Sequence, residues 1–174
     1  MRKFTTKDLT LAAMVAALYA VMRYFGNVFG LTYGPIQLRF SEALCVLPFL
    51  FPATAPGLFV GCLAANLLSP YGPLDIVVGS LATLIAAVWT SRVKRRWLAP
   101  LPPVVCNTVL VGFTIAFAQT GFTAALPAAW LYNGLTVGVG ELGACYVLGM
   151  LLLYALPRIK SVRTMIPEGR MKVV

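Results

Sequence analysis

Six apolar runs, set off by three basic clusters, constrain this chain more than any motif it carries. Twelve of its fourteen Lys and Arg residues fall into three groups. Arg2, Lys3 and Lys7 precede the first run. Arg92, Lys94, Arg95 and Arg96 lie mid-chain, and Arg158, Lys160, Arg163, Arg170 and Lys172 form the tail. Basic residues flanking membrane spans stay on the cytoplasmic side, so both termini and the middle loop are expected there. This placement, set against a net charge of +9, argues for a lipid bilayer and against nucleic acid as the partner. A cytoplasmic middle between cytoplasmic ends requires an even number of crossings on each side of it. Runs at residues 9–25, 41–51, 55–68, 74–90, 104–119 and 135–156 give four before the middle group and two after. The expected fold is an all-α membrane protein, a compact bundle of six transmembrane helices with N- and C-termini cytoplasmic, in the cell membrane.

Composition agrees. Of 174 residues, 60% are hydrophobic and 11% charged, against about 25% charged in a soluble domain. A span takes roughly 20 apolar residues, so residues 1–174 form one integral membrane unit with no room for a soluble domain. The second and third runs are the weakest, because Pro48, Pro52 and Pro56 punctuate them. A re-entrant hairpin is the alternative there. It would move the middle basic group outside, so the charge rule favours two short or kinked helices. The opening Met1-Arg2-Lys3 before an apolar run resembles a signal peptide, but Arg23 would interrupt a cleavage region, and the run is read as the first helix.

The inventory removes most chemistry. There is no histidine, and Cys45, Cys62, Cys106 and Cys145 stand singly in apolar segments. No metal site is expected, and the cysteines read as small packing residues. No Gly-rich phosphate loop of the G-x-x-x-x-G-K-[ST] type is present, so energy for transport must come from a gradient or another protein. No nucleophile–base pair is visible, and the chain is not expected to be an enzyme.

Three of the five acids, Glu42, Asp75 and Glu141, fall in or beside the runs, where a charge costs about 2.5–3.5 kcal/mol at mid-depth. By the expected topology all three map to the outer half, as do Asn66 and Asn133. The outer connections add Gln37, Arg39, Tyr71, Trp130 and Tyr132. Carboxylates, amides and aromatic faces around one outward cavity suit a flat, hydrogen-bonding heterocycle. Plainer readings stand beside this one. Arg39 and Glu42 fit a helix-end ion pair, Asp75 fits a helix cap, and Tyr71, Trp130 and Tyr132 fit an interfacial belt. Glu141 between Gly140 and Gly143 has no such plain reading. Asn107 is also a candidate, though it counts nearer the cytoplasmic side. On the first helix, Ala12, Ala16 and Ala20, with Ala13 and Ala17 beside them, form a small-residue stripe. It suits close packing inside the bundle or docking to a partner membrane protein.

These features resemble the substrate-binding S components of energy-coupling-factor (ECF) vitamin transporters. The segments QLRFSEALCVLPFLFP from Gln37, AANLLSPYGPLDIVVGSLATLIAA from Ala64 and VGVGELGACYVLG from Val137 are similar to the QueT family, which is assigned to uptake of queuosine precursors. The resemblance implies a transmembrane coupling protein that meets the alanine stripe. It also implies two cytoplasmic ATPases that use ATP, with no cofactor in this chain. The implied cargo is a 7-deazaguanine, either a nitrile or aminomethyl precursor or queuine. Glu141 or Glu42 would accept its N–H edge and a second carboxylate would meet an aminomethyl cation. Asn66 or Gln37 would read the ring carbonyl, and Arg39 would order the first outer loop as a lid. The alternative is a stand-alone proton-coupled transporter using Asp75 or Glu141 as proton carrier.

Overall fold

The computed structural model describes residues 4–30, 32, 37 and 39–171. Arg2, Lys3 and Lys172 of the basic groups lie outside the described residues, as do residues 31, 33–36 and 38 of the expected first outer loop. Among the described residues there is no strand. Helix α1 (Thr6–Val28) opens on a capping box. The Thr5 hydroxyl accepts from the Asp8 N–H at 3.3 Å, and Asp8 Oδ2 accepts from the Thr5 N–H at 2.9 Å, which satisfies two donors the first turn leaves open. A 3₁₀ helix, Phe40–Phe49, follows, then a second short one at Pro52–Thr54. Next come α2 (Ala55–Asn66), α3 (Pro73–Arg92), α4 (Arg96–Thr120) and α5 (Leu126–Arg158). The tail adds α6 (Lys160–Arg163) and α7 (Glu168–Met171).

Four helices, α1, α3, α4 and α5, are long and apolar enough to cross a bilayer. Their outer faces carry Met14, Leu18 and Val21, Val77, Leu81 and Ile85, and Leu131, Leu135 and Val139, whereas Arg23, Asp75, Thr83, Asn107 and Glu141 are buried. This reverses the ordering of a soluble protein and fits lipid outside and polar groups inside. The second and third expected runs emerge as the long 3₁₀ helix and α2. A 3₁₀ turn rises about 2.0 Å per residue, so ten residues reach roughly 20 Å. Ser41 to Phe49 are all buried, so this segment is enclosed by the other helices. Such enclosure is what permits non-α backbone at membrane depth.

The last two helices begin earlier than the apolar runs suggest. Pro102 and Pro103 fall at the start of the α-helical part of α4, and Pro127 at the start of α5, where a missing N–H costs nothing. The expected outer loop at residues 121–133 therefore shrinks to 121–125, and Trp130, Tyr132 and Asn133 stand on α5.

The alanine stripe divides. A Cβ on Gly57 would lie 2.1 Å from the Ala12 carbonyl oxygen, and one on Gly61 would lie 2.6 Å from that of Ala16. Ala12 and Ala16 thus pack inside the chain against α2. Ala13 and Ala17 are exposed and Ala20 is half-buried. Gly61→Ala is expected to force α1 from α2 and to cost about 1–3 kcal/mol. A lowered thermal midpoint in detergent would register it, and an unchanged midpoint would show that the contact is not tight. At the far end of the bundle the tail is tied down: Ile166 is buried beside Phe49 and Leu153, and Arg170 Nη1 donates to the Val93 carbonyl at 2.8 Å. Lys7, Arg92, Lys94 and Arg170 meet there around a groove of about 1180 Å³.

Candidate substrate-binding site

Away from that basic end, polar residues of α1, the 3₁₀ helix, α2, α3, α4 and α5 converge. Glu42, on the 3₁₀ helix, is 1% exposed. Its Oε1 accepts from the Tyr19 hydroxyl at 2.5 Å and faces Arg23 Nη1 at 3.7 Å. Tyr19 and Arg23 are one turn apart on α1, which brings both to the same carboxylate. Oε2 accepts from Cys45 Sγ at 3.1 Å and from Asn107 Nδ2, on α4, at 3.2 Å. Glu141, on α5, is 0% exposed and lies within electrostatic reach of Glu42, Arg39 and Arg23. Cys145 Sγ stands 3.6 Å from Glu141 Oε2 and 3.4 Å from the Glu42 carbonyl oxygen, joining the two segments. Glu141 Oε1 is buried with no hydrogen-bond partner among the described residues.

The backbone here departs from α geometry at each key position. Asn107 opens a π-helical stretch, Asn107–Val111, and a second, Leu142–Gly149, begins directly after Glu141. With the 3₁₀ helix under Glu42, three irregular segments aim three polar side chains at one place. Single π turns within α-helices recur at functional sites. Gly140 is the other requirement. A Cβ there would lie 2.0 Å from the Gln37 carbonyl oxygen, so only glycine lets the segment bearing Gln37 and Arg39 lie directly on α5 beside Glu141.

From the acid pair, two arms of polar contacts reach Asp75. Along one, Tyr19 packs against Cys62, and Asn66 Nδ2 approaches Cys62 Sγ at 3.5 Å and donates to the Asp75 carbonyl at 3.2 Å. Along the other, Arg39 Nη2 donates to Gln37 Oε1 at 2.7 Å, and Gln37 Nε2 donates to the Tyr71 hydroxyl at 3.4 Å. The Tyr71 N–H then donates to Ser69 Oγ at 3.2 Å, and Ser69 Oγ donates to Asp75 Oδ2 at 2.5 Å.

Eight of the ten residues expected from sequence therefore join one network: Glu42, Glu141, Asn66, Asp75, Gln37, Arg39, Tyr71 and Asn107. Asn107, counted nearer the cytoplasmic side, sits at its centre. Two stand apart. Trp130 Nε1 donates to the Val109 carbonyl at 2.9 Å, with its ring edge-on to Phe113, and Asn133 donates to Gln119 Oε1 at 2.9 Å. Both fasten α5 to α4. The plainer readings of two acids are also settled. Among the described residues the cation within ion-pair distance of Glu42 is Arg23, not Arg39. Asp75 occupies the third position of α3, behind the N-cap Gly72, and makes no cap bond. Sequence reading did not single out Tyr19 and Arg23, which also join this network. The signal for Arg23 was present, since Arg23 and Arg39 are the two basic residues outside the three clusters.

Comparison with known proteins supplies the remaining constraint. The family model described as QueT transporter matches residues 9–158. Over 159 residues the chain is 30% identical to the queuosine precursor transporter QueT of Lactococcus lactis subsp. cremoris (strain MG1363), covering 84% of this chain and 90% of that one. No solved structure matches the chain.

Proposed function

The chain belongs to the QueT transporter family, and from that premise we propose that it binds a queuosine precursor of the 7-deazaguanine type in the network around Glu42 and Glu141. The observation that carries this reading is Glu141 Oε1, a buried carboxylate oxygen with no partner among the described residues. The guanine-like edge of a 7-deazaguanine presents adjacent N–H donors, which one carboxylate can accept together. Gln37 and Asn66 offer amides for the ring carbonyl, and Arg39 holds Gln37 in place.

The chain would act as the S component of an ECF importer. It would cross the membrane six times, with the 3₁₀ helix and α2 as the two short passes and the basic groups cytoplasmic. Ligand would enter from outside, the segment at Gln37 would close over it against Gly140, and the bundle would reorient on a transmembrane coupling protein. Two cytoplasmic ATPases would supply the energy. Ala13 and Ala17 are the exposed part of the stripe on α1, and with half-buried Ala20 they form the face left for the coupling protein. A second reading rests on the two buried carboxylates near one another, which could carry a proton. Uptake by liposomes holding this protein alone, driven by a pH gradient, would favour that reading over the ECF one.

The direct test is to titrate the detergent-purified protein with queuine and the nitrile and aminomethyl precursors, with guanine as control, by calorimetry and thermal shift. Saturable binding of at least one compound, with guanine weak, is expected. A folded sample that binds none would overturn the reading.

A further inference from the structure

The basic end of the bundle holds a second feature, the groove of about 1180 Å³ between the start of α1, the end of α3 and the tail. It shares no residue with the network around Glu42 and Glu141, so its occupant is independent of whichever compound that network binds. Four cations line it, Lys7, Arg92, Lys94 and Arg170, against two carboxylates, Asp8 and Glu168. Asp8 Oδ2 already accepts from the Thr5 N–H at 2.9 Å and the Thr5 hydroxyl at 2.7 Å. Among the described residues no carboxylate lies within 4.0 Å of Lys7, Arg92 or Lys94. Leu11, Phe51 and Ile166 form its apolar side, the last two of them buried. Cations beside an apolar wall suit an anion that is itself amphiphilic.

Depth and the neighbouring faces narrow the class. Lys7 stands in the first turn of α1 and Arg92 in the last turn of α3. Both helices are long and apolar enough to cross a bilayer, which puts the groove at headgroup level. Trp89, Trp97 and Tyr154 are exposed at the same end, as aromatic residues at a membrane interface are. Along α1, Lys7, Leu11, Met14 and Leu18 share one face, and Met14 and Leu18 are 65% and 48% exposed. Along α3, Arg92 shares its face with Trp89, Ile85 and Leu81, all exposed. Each wall that begins at a cation thus runs on into an apolar strip toward the middle of the span. That is the profile of a phosphate headgroup above its acyl chains. A soluble anion or an acidic protein segment would leave both strips unused. The third wall, from Thr164 to Arg170, lies beyond the residues matched by the family model, so family membership does not account for it.

We propose that the groove holds one anionic phospholipid, with its phosphate against Lys7, Arg92 and Lys94 and an acyl chain along Leu11, Met14 and Leu18. Basic pockets between membrane helices bind anionic headgroups in this way, and each cation adds a charge-assisted hydrogen bond to a phosphate oxygen. Arg170 has a different part. Its Nη1 donates to the Val93 carbonyl at 2.8 Å and ties the tail to the end of α3. The lipid then links the start of α1 to that tied end, and as a ligand of the folded state it stabilises the whole bundle.

The test titrates the full chain in neutral detergent with phosphatidylglycerol or phosphatidylcholine, read by thermal midpoint and by native mass spectrometry. Wild-type protein is expected to keep one phosphatidylglycerol per chain and to rise in midpoint with it, and to do neither with phosphatidylcholine. The triple variant Lys7→Gln, Arg92→Gln, Lys94→Gln is expected to weaken phosphatidylglycerol by about fivefold per cation, roughly 100-fold in all. Arg170 is left in place because it holds the tail. A matched variant, Arg95→Gln, Arg158→Gln, Arg163→Gln, removes the same charge from exposed positions at this end that do not line the groove, and it is expected to bind as wild type does. Equal loss in the two variants would reduce the effect to diffuse surface charge and overturn the site. Equal response of wild-type protein to the two lipids would overturn it with no appeal to a variant that must fold. So would the same midpoint shift from glycerol 3-phosphate, which would make the occupant a free phosphate, or from a polyglutamate peptide, which would make it an acidic protein segment.

Discussion

Arg23→Met is expected to cost about 3–5 kcal/mol of stability, the penalty for leaving a buried charge without its partner. Methionine nearly preserves the volume of the arginine stem, so the loss isolates the guanidinium. Arg23 stands 3.7 Å from Glu42, and both are buried. Without it, Glu42 keeps the Tyr19, Cys45 and Asn107 donors but loses the cation within ion-pair distance. Glu141 then faces a second carboxylate with one fewer positive charge nearby. The cycle with Glu42→Gln decides the cause. If the charge is what matters, the double variant recovers much of the lost thermal midpoint. If Arg23 only fills space between α1 and the 3₁₀ helix, the two losses add.

The same arginine shows what the sequence carried and what it hid. Basic clusters and apolar runs located α1 and α3 within a few residues, because lipid imposes those signals directly. They could not locate the starts of α4 and α5. Prolines near residues 102 and 127 look like breaks in a hydropathy reading, yet they serve as first-turn residues. Nor could periodicity assign a 3₁₀ helix to Phe40–Phe49, since its burial on every side leaves no amphipathic pattern to read. Glu42, Asp75 and Glu141 were legible because a carboxylate in an apolar run has a large cost that function or pairing must offset. Tyr19 was not, since a tyrosine in a membrane helix is ordinary until its hydroxyl is seen on Glu42. Trp130 and Asn133 stand apart from the network: their side chains suit a ligand, and the early start of α5 turns them onto α4.

Glu141→Gln is expected to weaken precursor binding about 10–150-fold while leaving the unliganded protein as stable as wild type or more so. The two effects separate because Glu141 and Glu42 stand in different positions. Glu42 is saturated by donors from α1, the 3₁₀ helix and α4, so Glu42→Gln breaks structural bonds and lowers the midpoint with or without ligand. Glu141 Oε1 has no hydrogen-bond partner among the described residues, so an amide there disturbs no structural bond at that oxygen. The amide nevertheless replaces an acceptor by a donor where the ligand presents its own N–H groups, so repulsion is added to the lost charge. Thermal shift reads the difference. A ligand at one hundred times its Kd stabilises wild-type protein by about 2.7 kcal/mol. With affinity reduced a hundredfold at the same concentration, that gain falls to about 0.4 kcal/mol. Wild-type affinity in both Glu141→Gln and Glu42→Gln would remove the acid pair from the binding site, and the network would then be a structural device holding α1, α4 and α5 around the 3₁₀ helix.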